Sequence, residues 1–235
     1  DASAPAAGRV HRPFIVGALA TALTVGAGWG AWLLARMGAA GDFTVIGAGQ
    51  VVAHGDAQLW GFVTVFITGI AVRYLPDVTG APWCGRGRSV ALLGPLLAGT
   101  GLGFGWACAP TLWPGAGVAS GVLLVASAAI YTSIVVADVA PRWREPWALF
   151  VLSSAVWLLA WAIWTLVLRH RAGALGPAAL TSVERGLALE LALWGVALSA
   201  VFGFGCRLLP GFLGLGRPRN AWVWRALLLH EAGVV

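Results

Sequence analysis

Polar positions are so sparse along this chain that its hydrophobic pattern is one of long apolar runs, not of alternating stripes. Six runs, at 14–36, 52–75, 89–108, 117–137, 147–169 and 184–208, each supply the roughly 20 residues an α-helix needs to cross a bilayer. A seventh begins at Ala221 and reaches Val235, about 15 residues or 22 Å, which is too short to cross. The expected architecture is an all-α, polytopic transmembrane helix bundle with six full spans and a truncated seventh, part of a longer protein.

One pattern of apolar, glycine and proline positions occurs twice. HGDAQLWGFVTVFITGIAVRYLP at 54–76 and ALELALWGVALSAVFGFGCRLLP at 188–210 superimpose at an offset of 134 residues, pairing Trp60 with Trp194, Gly61 with Gly195, Gly69 with Gly203, Arg73 with Arg207 and Pro76 with Pro210. The acids Asp56 and Glu190 also pair, but opposite His54 stands Ala188. More weakly, and shifted by a residue or two, the run near 12–36 lies over that near 144–170. The unit is four helices. An even number returns the chain to the same side, so the repeat is expected to be parallel, related by an axis along the membrane normal. The expected organisation is a polar lead at 1–13, a first four-helix repeat at 14–137 and a second at 147–235 that is incomplete at its C-terminus; the whole would have at least eight spans.

Composition agrees with the pattern: 59% of residues are hydrophobic, 10% are charged, and mean hydropathy is +0.84. Such a chain cannot cover a soluble globule with polar surface. The lead shows no signal-peptide pattern. The net charge of +6 comes from 15 arginines with no lysine. Eleven lie in the lead and in the second, fourth and sixth connections, and only Arg36, Arg169, Arg171 and Arg185 fall on the other side. By the positive-inside rule the N-terminus is cytoplasmic and the second helix runs inward from the outer face. The charge is thereby explained by topology and gives no reason to expect nucleic acid as a partner.

Candidate chemistry is confined to a few side chains. On the second helix His54, Gln58, Gly61, Val65, Thr68 and Val72 form one stripe, whereas Asp56 lies about 200° from His54. An acid this deep is expected to be paired or to line a polar cavity. Arg73 and Arg207 read as snorkelling anchors followed by a proline stop. Trp83, Trp143, Trp147, Trp222 and Trp224 read as an interfacial belt, and Trp157, Trp161 and Trp164 as one face of the fifth helix turned to lipid or packing. Cys84 falls in an inner loop and Cys206 near the inner end of its helix, whereas Cys108 closes the third helix on the outer side, so no disulfide framework is expected, and no C-x-x-C occurs. Gly101–Gly105, inside a span, is a helix-packing or kink segment and not a nucleotide loop.

The sequence RPF at 12–14, an apolar helix with Trp29 and Trp32, then His54, Trp60-Gly61-Phe62, Gly69, Pro76 and Thr79-Gly80 resembles the start of the NnrS family. These are multi-span bacterial membrane proteins similar to the haem-bearing subunit of haem–copper oxidases and associated with haem and copper binding and with protection against nitric oxide stress. The resemblance implies a bacterial inner-membrane protein with haem b and copper as cofactors, His54 as axial and metal ligand, and a homo-oligomer or respiratory-chain protein as partner beside the lipid bilayer. The family pattern carries two histidines and a glutamate where this chain has His54-Gly55-Asp56, a departure that touches the copper site more than the haem. Gln58 and Gly61 would line the cofactor. The second axial ligand is either His230, the other histidine inside a span, or lies in the absent C-terminal part, or the iron is five-coordinate. No catalytic constellation for soluble chemistry is present. A different class stays open beside this one: a proton- or ion-coupled transporter with its site near Asp56, Gln58 and Glu190.

Overall fold

The protein, as a computed structural model, is described over residues 10–82, 85–216 and 218–234. Most of the polar lead, with Trp83, Cys84, Arg217 and Val235, lies outside the described residues. The described residues contain helices and no strand. Six helices are long and apolar enough to cross a membrane: α1 Arg12–Ala40, α2 Ala48–Thr79, α3 Arg86–Cys108, α4 Ala116–Arg142, α5 Pro146–Ala179 and α6 Ser182–Phe212. A shorter helix, α7 Asn220–Val234, follows. All six expected runs are present, each within a helix that is longer, by three residues for α3 and by eleven for α5.

Local chemistry explains the boundaries. Pro13 and Pro146 sit in the first turns of α1 and α5, where a missing N–H costs nothing. Gly41 and Gly80, at φ +64° and +71°, close α1 and α2 in the left-handed conformation that L side chains avoid. At the start of α6, the Thr181 hydroxyl accepts from the Glu184 N–H (3.2 Å) while the Glu184 carboxylate accepts from the Thr181 N–H (2.9 Å). Pro76 and Pro210 do not stop their helices as the sequence suggests. Both lie inside, and the helices run on to Thr79 and Phe212.

Without a hydrophobic difference between lipid and protein, packing depends on close approach and on polar contacts. Hydroxyls bond backbone carbonyls across successive helices: Ser127 to Leu92 (2.8 Å, α4 to α3), Thr132 to Ala155 (2.9 Å, α4 to α5) and Ser154 to Val196 (2.9 Å, α5 to α6). Large buried side chains such as Phe14, Trp60, Leu92, Tyr131 and Val151 fill one continuous core. The rings of Trp60 on α2 and Trp161 on α5 stack with centroids 3.6 Å apart. Trp161 is thus buried in packing, and Trp147, expected in the interfacial belt, is buried too. Cys108 and Cys206 are free thiols.

Three spans contain a wide, π-helical stretch: Ala22–Gly28 in α1, Ala57–Thr64 in α2 and Leu191–Leu198 in α6. The α2 and α6 stretches begin directly after Asp56 and Glu190. α7 is held by its polar side chains: the Glu231 carboxylate accepts from Ser153 Oγ (2.6 Å) and Trp157 Nε1 (3.0 Å), and His230 Nε2 meets Ser199 Oγ at 2.8 Å.

Candidate functional site

The most polar contact inside the bundle joins helices far apart in sequence. Arg169, near the end of α5, is only 3% exposed, and its Nη2 donates to Asp56 Oδ2 at 2.7 Å. Its Nη1 donates to Ser120 Oγ on α4, and that hydroxyl donates in turn to the Gly99 carbonyl on α3. Gly103 leaves the space: a Cβ there would lie 2.6–2.9 Å from the guanidinium atoms. Trp106 lies with its ring centroid 5.9 Å from the guanidinium carbon and donates Nε1 to the Gly173 carbonyl at 2.9 Å, tying the end of α3 to the end of α5. Asp56 is thus paired, as an intramembrane acid must be. It is the ninth residue of α2, about 12 Å along the helix from its start.

The pair forms part of the wall of a cavity of about 210 Å³. Its polar lining is Asp56, Thr165, Arg169 and Arg185, and the remainder is largely aliphatic and aromatic, including Leu59, Leu168 and Trp161. The lining comes from α2, α3, α5 and α6 and from Leu180 between the last two. Among the described residues Arg185 makes no ion pair; Glu184 beside it is engaged by Arg171 and by Thr181.

The residues proposed to hold a haem lie on other faces. His54 packs against α1, its Cε1 3.0 Å and both ring nitrogens 3.5 Å from where a Cβ on Gly30 would sit. Its Nδ1 is buried without a hydrogen-bond partner. One turn on, the Gln58 amide fills the space over Gly26, and Gly61 receives Thr21 from α1 and Thr100 from α3. His54, Gln58 and Gly61 therefore share the α1 seam, and the 200° separation of Asp56 from His54 holds in three dimensions. The stripe continues at Gly69, against Phe14, instead of at Thr68, whose hydroxyl turns back on Thr64 and Val65 of its own helix. His230 is engaged elsewhere, with Ser199 and the rings of Phe150 and Phe202. On this seam the His54 ring lies directly against the α1 backbone at Gly30. Among the described residues no three His, Cys, Asp or Glu side chains gather as a metal-ligand set.

The transporter site expected from sequence is also rearranged. Only Asp56 of its three residues lines the cavity, because Gln58 faces α1 and Glu190 is exposed. The arginine distribution places Arg169 and Arg185 on the side away from the N-terminus, and in the structure both line the cavity. The signal available for Arg169 was the acid itself, which at that depth demands a cation from another helix at the same end. No family model, curated protein or solved structure matches the chain.

Proposed function

We propose that this protein is a multi-pass membrane carrier, coupled to protons or ions, whose site is the Asp56–Arg169 cavity between two parallel copies of a helical unit. The observation that carries this reading is the ion pair itself. Burying two charges in a low-dielectric bundle is costly, and well-packed apolar residues would hold the helices as firmly. An intramembrane pair in a cavity wall is instead what substrate and proton pathways use.

Support for the duplicated scaffold comes from coincidences of position. α2 starts at Ala48 and α6 at Ser182, their wide stretches at Ala57 and Leu191, and α3 and α7 at Arg86 and Asn220, each pair 134 residues apart. Contacts repeat as well. Gly61 meets Thr21 and Gly69 meets Phe14, while Gly195 meets Trp157 and Gly203 meets Phe150, so that α1 positions map to α5 positions 136 later. Gly17 meets Leu97, and Ser153, at the same offset, meets Glu231. On this reading α7 is the third helix of the second unit, and the cavity lies between the units, where duplicated carriers place their sites.

A haem-binding protein of nitric oxide or respiratory stress, as the NnrS resemblance implies, is the competing proposal. The unpartnered Nδ1 of His54 supports it, and it requires α1 to move off the seam. One preparation separates the two. The full chain, expressed with haem supplementation and reconstituted in liposomes holding a pH-sensitive dye, is given inward gradients of a panel of small anions and cations. The carrier reading expects dye-reported proton movement with at least one ion, lost in Asp56→Asn, and no Soret band. A Soret band that disappears in His54→Ala but persists in Asp56→Asn, without ion-dependent proton movement, replaces the carrier with the haem protein.

A further inference from the structure

The cavity's composition restricts what it can hold. Asp56, Arg169 and Arg185 are its charged lining, one acid and two cations, leaving one positive charge in excess. Arg169 is already committed to Asp56 and Ser120, and Glu184 is committed to Arg171, so the uncompensated cation is Arg185. A buried or half-buried guanidinium gains most from a planar oxyanion that accepts two parallel N–H bonds. Apart from the Thr165 hydroxyl, the rest of the wall, with Leu59, Leu168, Leu189 and the Trp161 ring, carries no second cation and offers a favourable surface to a short hydrocarbon. A cavity of about 210 Å³ is smaller than the pockets that usually hold drug-sized ligands, which favours a small organic molecule.

Building on the carrier reading for its role, we propose that the cavity binds a small organic monoanion, a carboxylate with a short apolar tail, its head at Arg185 beside the Asp56–Arg169 pair and its tail against Leu59, Leu168 and Leu189. Cations are disfavoured by the excess positive charge. A dianion would leave one charge without a partner in an apolar wall. Neutral solutes would leave Arg185 as uncompensated as before.

Titration calorimetry of the full chain in lipid nanodiscs tests this with butyrate, its neutral isostere butyramide, and chloride. Butyrate is expected to bind at least about tenfold more tightly than either of the others, as loss of a charge-assisted pair implies. Arg185→Gln removes that preference, Arg185→Lys retains part of it, and Ala188→Leu, which adds bulk to the cavity wall without touching a charge, abolishes binding. Equal binding of butyrate and butyramide, butyrate affinity unchanged in Arg185→Gln, or no butyrate binding overturns the site. Flux is a separate readout: butyrate that binds as described but does not cross in proteoliposomes sinks the carrier reading and leaves the binding site standing.

Discussion

Arg169 connects three helices through its two Nη atoms, to Asp56 on α2 and to Ser120 on α4, within a slot that Gly103 keeps open. Removing one member of such a pair leaves a buried charge alone, which costs about 3–5 kcal/mol, whereas removing both costs much less. Arg169→Met and Asp56→Leu are therefore each expected to lower the unfolding midpoint in detergent sharply, and the double variant to recover most of the loss; additive losses would show that the two side chains do not interact. The same pair shows how far the site was legible. Asp56 and its need for a partner follow from one acid in an apolar run, and the face it shares with no histidine follows from helical phase. Arg169 was hidden because it stands near the end of its run beside Arg171, where a cation ordinarily snorkels to the interface. Which arginine turns inward is decided by the small residues Gly103 and Ser120 on neighbouring helices, and no pattern local to α5 records them.

At the scale of the elements, the six helices were legible because twenty apolar residues in lipid have one way to satisfy their backbone. Their ends and internal geometry were less so. The wide stretch at Ala57–Thr64 shifts the angular phase of everything after it, so a stripe counted at 100° per residue arrives at Thr68 where the seam uses Gly69. Nothing in the composition of AQLWGFVT marks such a stretch. The connection between α4 and α5 is legible only in the structure: Arg142 donates to the Thr79 carbonyl at 2.7 Å, and Glu145 accepts from Trp147 Nε1 at 2.6 Å and from Arg142 at 3.4 Å. The Trp147 hydrogen bond foremost, and the positive Arg142, hold the Glu145 carboxyl below its ordinary value despite some burial. A depressed pKa means that the folded state favours the carboxylate. Its contribution is present at neutral pH and is lost as pH falls below the ordinary glutamate range, about 4.3, through the lowered value. The side chain is 40% exposed, so the contribution is modest, of order 1 kcal/mol or less. Midpoints measured from pH 7 to pH 3 should show Glu145→Gln less stable than the parent at neutral pH and the two converging at the acid end. A gap that widens on acidification would contradict this account.

For the whole molecule, the arrangement of the ends is the feature on which the carrier reading depends. With all six apolar helices crossing, the chain would return to its starting side, and the α1–α2, α3–α4 and α5–α6 connections would share one face and the α2–α3 and α4–α5 connections the other. The Asp56–Arg169 cavity lies toward the first face, since its lining comes from the start of α2 and α6 and the end of α3 and α5. The arginine distribution predicts that this face is outside. Single cysteines replacing exposed residues in a chain cleared of Cys84, Cys108 and Cys206 test both statements. Phe43→Cys and Leu112→Cys in the connections, and Leu175→Cys in the 3-10 turns that end α5, should react with a membrane-impermeant maleimide in intact cells, while Trp143→Cys and Leu213→Cys should react only after the membrane is opened. Labelling of the second set alone in intact cells would invert the molecule and turn the cavity toward the cytoplasm without altering the fold. Labelling that divides Phe43, Leu112 and Leu175 between the two sides would break the parallel arrangement of the units, because two parallel copies of an even-helix unit require all three connections on one face.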